Sequence, residues 1–189
     1  ALAMTLEAVK GYRDAFFPQV HKARGHQGQI DCASNILRLV EGSNLLDGDQ
    51  SNNPKICPPQ DAYSIRCAPQ VIGSVRDVVK WVRSIVETEL NAATDNPLIF
   101  PSDDPEDEFY LPRSYKAISC GNFHGEPLAF AMDFLGIAIA ELGSIAERRI
   151  FRILTGHLNR GLESMLVRSP EGKKGMQNGF MIPQYTAAS

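Results

Sequence analysis

The chain has few cysteines, and they are scattered. Four occur in 189 residues, without a Cys-x-x-Cys pair and without paired histidine spacing. This distribution argues against a zinc site and against a disulfide framework, so we expect no metal at the functional site. Free thiols are typical of a reducing compartment, and no secretory signal pattern opens the chain. We therefore expect a cytoplasmic location.

A strong charge of either sign is also lacking. Nineteen Lys and Arg residues against 22 Asp and Glu residues give a formal charge of -3. That balance provides no electrostatic footprint for nucleic acid. The hydrophobic content of 43% and the charged content of 22% are ordinary for a globular protein. At this length we expect one domain, residues 1–189, with a sizeable core.

Runs that alternate between polar and apolar residues, the pattern of strands, are not evident, and neither are internal repeats. Apolar residues recur instead at helical spacing. The predicted helices cover residues 3–15, 29–41, 69–91, 126–154 and 180–188. The fold class is therefore predicted to be all-α, a bundle of long helices.

The longest predicted helix is apolar almost all round from residue 128 to residue 145. Such a helix is buried on most sides. A membrane span is the competing interpretation, but Asp133 and Glu141 would then cost several kcal/mol together, so we expect no membrane. The few other helices of this chain cannot cover it, which predicts further helices from the same protein, partner subunits, or both.

One short segment is crowded with polar groups. Residues 60–73 read Gln-Asp-Ala-Tyr-Ser-Ile-Arg-Cys-Ala-Pro-Gln-Val-Ile-Gly. Tyr63 and Arg66 are three residues apart, so on a helical turn they share a face. This pairs a phenol with a fixed cation that can grip a carboxylate through two parallel hydrogen bonds.

Five further segments complete the pattern. They are Phe-Pro-Gln-Val-His-Lys-Ala-Arg-Gly-His-Gln-Gly-Gln (17–29), Glu-Leu-Asn-Ala-Ala-Thr-Asp-Asn-Pro-Leu (89–98), Ser-Cys-Gly-Asn-Phe-His-Gly-Glu-Pro (119–127), Ser-Ile-Ala-Glu-Arg-Arg (144–149) and Asn-Gly-Phe-Met-Ile (178–182). In this order and at these spacings they resemble the aromatic amino acid ammonia-lyases over nearly the whole chain. The segment Gly-Asn-Phe-His-Gly-Glu-Pro is most similar to the histidine ammonia-lyase branch.

The resemblance implies a carbon–nitrogen lyase that eliminates ammonia from L-histidine to give urocanate. Family enzymes use a methylidene-imidazolone (MIO) electrophile, which forms from an internal Ala-Ser-Gly triad upstream of the region seen here. No Ala-Ser-Gly occurs in these 189 residues, and family members are much longer. We therefore interpret the chain as a central fragment of the ammonia-lyase fold, inactive in isolation because it carries no electrophile.

By the same resemblance, Arg66 is the clamp for the substrate carboxylate, and Tyr63 is a catalytic tyrosine that transfers a proton beside the prosthetic group. Gln60 matches a glutamine that forms hydrogen bonds in the substrate pocket. Phe123 matches a phenylalanine that packs at the active centre. Asn122, at the entrance to the longest helix where free backbone N–H groups converge, is expected to bind substrate.

Three alternatives remain open at this point. In the first, the substrate is phenylalanine or tyrosine instead of histidine. In the second, the enzyme is an aminomutase of the same family. In the third, the chain is a helical scaffold without activity. Residues 60–67 do not choose among the first two, because several branches share them. The family resemblance also implies a homotetramer, with a small-molecule amino acid as the substrate.

Overall fold

The computed structural model describes residues 1–48, 58–102, 114–168 and 177–189. Within those ranges the chain is mostly helical, as predicted, with a single pair of strands. The elements in chain order are α1 (Leu2–Ala8), α2 (Pro18–Arg24), α3 (Gln27–Leu39), α4 (Tyr63–Arg66), α5 (Ala68–Leu90), β1 (Leu98–Ser102), β2 (Ser114–Ile118), α6 (Glu126–Leu154) and α7 (Met181–Ala188). Short 3-10 turns cover Arg13–Phe16 and Ser164–Leu166.

The chain divides into two compact units. One contains residues 1–78 and 137–189, and the other contains residues 79–136. The expectation of a single domain stays a prediction. Cys57 lies outside the described residues, as do the acidic residues Asp103, Asp104, Glu106, Asp107 and Glu108.

The first unit has a hydrophobic core to which α3 contributes one face. Cys32, Ala33 and Ile36 of α3 and Val40 directly after it are buried there, at the spacing that places side chains on one side of a helix. Their neighbours in the core come from other parts of the unit: Leu2, Leu6, Val9, Phe16, Leu46, Ile65, Ala68 and Ile145.

Local sequence explains where α2 begins and ends and how α3 starts. Pro18 opens α2, where its missing N–H is not needed, and Gly25 closes it in the left-handed region with φ 85°. At the start of α3, the Gly28 N–H donates to the Asp77 carboxylate over 2.9 Å. A carboxylate at a helix N-terminus is favourable because it meets free N–H groups and the positive end of the helix dipole.

The second unit contains a two-stranded antiparallel hairpin that the sequence did not predict. Leu98 pairs with Ile118, and Ser102 pairs with Ser114. Residues 98–101 read Leu-Ile-Phe-Pro, which does not alternate between polar and apolar types, so the strand pattern was missed. In the same unit, Trp81 contacts Phe134 edge to face, with ring centroids 5.5 Å apart.

Helix α6 has a narrow buried stripe and a wide exposed apolar surface. Ala131, Ala138 and Ile145, at intervals of seven residues, are buried, which places them on one side of the helix. Large apolar side chains lie exposed on the same helix: Phe130, Met132, Phe134, Ile137 and Ile139. Among the described residues, this is also the helix long and apolar enough to cross a membrane by length and composition, a criterion that core helices of soluble proteins meet as well.

Candidate active site

The predicted helical turn at residues 63–66 is present, and its buried residues fix it to the core. The Ile65 and Arg66 N–H groups both donate to the Ala62 carbonyl, over 2.9 and 3.0 Å. Ile65 is fully buried and Ser64 is buried beside it. Because these two side chains point inward, Tyr63 and Arg66 are held on the opposite, more open side of the turn.

Tyr63 and Arg66 share a face, as the sequence predicted. The Arg66 guanidinium carbon lies 4.5 Å from the centroid of the Tyr63 ring, within the range of a cation–π contact. Arg66 Nε donates to the Asp61 carbonyl over 2.8 Å. Within the described ranges no hydrogen-bond partner is present for the two terminal nitrogens of Arg66, which are the pair needed to hold a carboxylate.

Gln60, Tyr63 and Arg66 line one cavity of about 430 Å³. Among the described residues that line it, the cavity has an excess of positive charge, because Arg152 and Arg160 join Arg66 while Asp61 is the one carboxylate. The other lining residues are Pro58, Ala62, His157 and Leu158. An excess of guanidinium groups over carboxylates suits an anionic ligand.

Asp61 is the centre of a buried polar network. Its carboxylate accepts from Arg160 Nη2 over 2.7 Å and from the Tyr12 backbone N–H over 2.7 Å. The side chains of Asp61 and Arg160 are 1% and 3% exposed. Removing one partner of such a buried pair typically costs about 3–5 kcal/mol, because the remaining charge stays buried without compensation.

The environment of Asp61 acts on its ionisation in two directions. Burial raises the pKa of the Asp61 carboxyl, while the Tyr12 N–H and then Arg160, Arg152 and Arg66 lower that pKa. Burial lowers the pKa of the Arg152 guanidinium, and its neighbour Arg160 lowers it further. The charged groups of Asp61 and Arg152 are therefore partly shielded from bulk water.

Asn122 and Phe123 lie in the second unit, just before α6. Asn122 Nδ2 donates to the Ala93 carbonyl over 3.3 Å, and Phe123 is 61% exposed. The Glu126 N–H donates to His124 Nδ1 over 3.2 Å, so His124 caps the start of α6. The Cys120 N–H donates to the Asn96 side chain over 2.7 Å, which ties this turn to the end of the 89–98 segment.

The structure thus places Gln60, Tyr63 and Arg66 together, and Asn122 beside Phe123 in the other unit. Sequence reasoning did not single out Arg160 or Tyr12, both of which contact Asp61. Arg160 is 99 residues from Asp61 along the chain, and no local spacing rule relates residues so far apart. A weak signal was present in the turn sequence Asn-Arg-Gly at 159–161, which predicts a turn but no partner.

Known proteins share this sequence and this arrangement of helices. A sequence model described as aromatic amino acid lyase matches residues 1–189. Histidine ammonia-lyase from Treponema denticola is 44% identical over 187 residues, covering 99% of this chain and 33% of that protein. The crystal structure of histidine ammonia-lyase from Trypanosoma cruzi is 41% identical with a TM-score of 0.75, over 99% of this chain and 30% of that chain.

Tyrosine aminomutase from Streptomyces globisporus has a TM-score of 0.81 at 37% identity, over 99% of this chain and 36% of that one. The chain spans about a third of the length of the curated relatives it matches. With matching segments along its entire length and the helical fold of these structures, the chain belongs to the aromatic amino acid lyase family.

Proposed function

We propose that the whole protein containing this chain eliminates ammonia from L-histidine to give urocanate. The observation that carries the proposal is the shared cavity of Gln60, Tyr63 and Arg66. A lyase of this kind must hold the substrate carboxylate and remove a weakly acidic β-proton. The cavity offers a guanidinium for the first task and a phenol for the second.

Each of the three residues has a distinct proposed role. Arg66 binds the substrate carboxylate through its two terminal nitrogens, while its Nε stays on the Asp61 carbonyl. Tyr63 takes part in proton transfer. Its ring lines the cavity and is exposed, so its hydroxyl is accessible to a substrate held there. Gln60 supplies an amide that donates to, or accepts from, polar atoms of the substrate.

The family resemblance adds a prosthetic group, MIO, formed from an Ala-Ser-Gly triad elsewhere in the whole protein. When bound, this group supplies the electrophile that captures the amine. The residues before α6 suit such a planar ring, since Phe123 offers an exposed aromatic face and the helix start offers backbone donors. We assign Phe123 to packing against the group and Asn122 to the substrate side of the site.

We further propose that the whole protein is a cytoplasmic homotetramer whose sites draw on more than one subunit. Elimination chemistry needs a site from which water is excluded, and Tyr63 is 70% exposed in this chain. The exposed apolar surface of α6 also needs a cover. Asp133 and Glu141 on that helix, both exposed, favour a protein cover over a lipid one.

The test is turnover of L-histidine by the whole protein, followed through the ultraviolet absorbance of urocanate, with L-tyrosine and L-phenylalanine as competing substrates. We expect histidine to have the highest kcat/KM. Mass spectrometry of the intact protein should also show the loss of water that accompanies MIO formation. Absence of urocanate together with turnover of another aromatic amino acid would reassign the substrate.

An aminomutase is the second candidate, favoured by the likeness to tyrosine aminomutase. Such an enzyme moves the amino group to the β-carbon and leaves a β-amino acid. Chromatography of the products therefore separates the two activities. A β-amino acid as the main product from tyrosine would replace the histidine proposal.

A further inference from the structure

We propose that Arg160 is a positioning residue: through Asp61 it sets the orientation of the turn that carries Tyr63 and Arg66. The inference rests on the proposed function of that turn. It concerns a residue far along the chain which touches neither Tyr63 nor Arg66 in the contacts that the structure records.

The first step is the direct connection. Arg160 Nη2 donates to Asp61 Oδ1 over 2.7 Å, and the Asp61 carbonyl accepts from Arg66 Nε over 2.8 Å. The Asp61 side chain is therefore bound by Arg160, and the Asp61 backbone carbonyl binds Arg66. A change in the position of Asp61 moves the acceptor on which the Arg66 guanidinium is fixed.

The second step is the rigidity of the support. Arg160 Nη1 donates to the Lys10 carbonyl, and the guanidinium carbon lies 4.8 Å from the centroid of the Tyr12 ring. Tyr12 in turn donates its N–H to Asp61 Oδ2 over 2.7 Å and its hydroxyl to the Pro58 carbonyl over 2.6 Å. Arg160 and Tyr12 thus hold the segment at residues 58 and 61, on the side that leads into the turn.

The third step is the turn that aims Arg160 inward. Arg160 has a φ of 58°, in the left-handed region that costs a non-glycine residue energy and persists only where the surroundings hold it. Gly161 follows with a φ of 98°, which glycine adopts freely. Asn159 is fully buried, and its Nδ2 donates to the Ile153 carbonyl over 2.8 Å. The turn at residues 159–161, which follows α6, therefore directs the Arg160 guanidinium to Asp61.

A lysine at position 160 tests the role of this arginine in the whole protein. Arg160→Lys keeps the charge beside Asp61 but cannot hold Asp61 and the Lys10 carbonyl in the same fixed fork. We expect kcat/KM for L-histidine to fall by about 10- to 100-fold, because small misplacements of binding groups have effects of that size. Arg38→Lys, which alters an exposed arginine bonded to Asn35, is the matched control and should have no effect.

A double-mutant cycle separates positioning from simple loss of stability. If Arg160 acts through Arg66, then Arg160→Lys should change kcat/KM less than threefold when Arg66 is already lysine. Equal losses in both backgrounds would overturn the proposal, as would unchanged kinetics of the single variant.

Hydrogen exchange supplies a readout that does not depend on catalysis. The amides of Ile65, Arg66 and Cys67, which are bonded within the turn, should exchange faster in Arg160→Lys, while the amides of α3 keep their rates. Unchanged exchange in the turn overturns the inference even where the protein is active. If the unaltered protein turns over no histidine while exchange in the turn still responds to Arg160, the proposed function fails and the positioning role stands.

Discussion

The guanidinium of Arg66 combines two tasks that a lysine cannot perform together. Its Nε is fixed on the Asp61 carbonyl, and its terminal nitrogens form a planar pair suited to a carboxylate. In the whole protein we expect Arg66→Lys to reduce kcat/KM by roughly tenfold or more, equivalent to one or more kcal/mol of transition-state binding. The melting temperature should stay close to that of the unaltered protein. Unchanged kinetics would remove Arg66 from the site.

The hydroxyl of Tyr63 is the other group whose removal tests the site. Tyr63→Phe keeps the ring over which the Arg66 guanidinium lies and deletes only the phenolic O–H. If that group transfers a proton, turnover should fall by roughly a hundredfold or more. Tyr115→Phe, on an exposed tyrosine of the hairpin, is the matched control. Parental turnover by the Tyr63 variant would make the hydroxyl dispensable.

We expect His21 to make the stability of the first unit depend on pH. Its Nε2 contacts the Ala15 carbonyl at 3.1 Å and its Nδ1 contacts Gln29 Nε2 at 2.9 Å, which fits a neutral ring with its proton on Nε2. Burial lowers the pKa of His21, against a smaller opposing effect of the Ala15 carbonyl. The unfolded chain, with the ordinary pKa of about 6.5, therefore binds the proton first as the pH falls.

The sign of the pH effect follows from that order. The contribution of His21 to the free energy of unfolding is complete above pH 6.5. It decreases as the pH falls from 6.5 toward the lower native pKa. We expect the melting temperature to fall less between pH 7.5 and pH 5.5 for His21→Gln than for the unaltered protein. His26→Gln, at an exposed position, should leave the loss unchanged. An identical pH dependence in all three proteins would contradict the assignment.

At the residue scale, short-range chemistry was predictable and long-range chemistry was not. The three-residue spacing of Tyr63 and Arg66 sufficed to place them on one face, because helical geometry determines that relation. The pairing of Asp61 with Arg160 depends on tertiary packing between distant parts of the chain. No periodicity in the sequence records it.

Among the elements, the long helices were the most predictable. The predicted range 126–154 coincides with α6, and 69–91 agrees with α5 to within one residue at each end, because many apolar residues repeat at helical spacing. The range 3–15 was wrong in part: α1 ends at Ala8, and a 3-10 turn follows. Gly11 and Pro18 had marked the interruption, and Gly11 has Leu6 and Asp61 so close that a Cβ there would overlap Leu6.

The close approach of α3 and α5 gives a prediction at the element scale. A Cβ on Gly28 would lie 2.2 Å from the Gly73 carbonyl oxygen and 2.7 Å from Asp77 Oδ1. Alanine normally gains up to about 1 kcal/mol over glycine in a helix, but overpacking against backbone costs about 1–3 kcal/mol. We therefore expect Gly28→Ala to lower the free energy of unfolding in denaturant titrations.

Ser34→Ala, on the exposed side of the same helix, provides the comparison. Exposed substitutions of this kind usually stay within about 0.5 kcal/mol. A Gly28→Ala protein as stable as the Ser34→Ala protein would show that the two helices separate without cost.

For the molecule as a whole, the exposed surface of α6 predicts assembly. Ile137 is 69% exposed in this chain, and we expect it to be covered in the whole protein. Ile137→Glu should then lower the melting temperature or reduce the tetramer fraction in analytical ultracentrifugation, since a buried unpaired carboxylate is costly. A fully active and fully assembled Ile137→Glu protein would show that this surface is exposed to solvent in the whole protein.

The bond between Arg160 and Asp61 also has a consequence for the order of events during synthesis. Ribosomes add about 5–20 residues per second, so the 99 positions that separate these partners correspond to about 5–20 s of elongation. Throughout that interval Asp61 has been synthesised and Arg160 has not, so residues 58–66 lack the hydrogen bond from Arg160. The turn that carries Tyr63 and Arg66 therefore receives this support only after translation has passed residue 160.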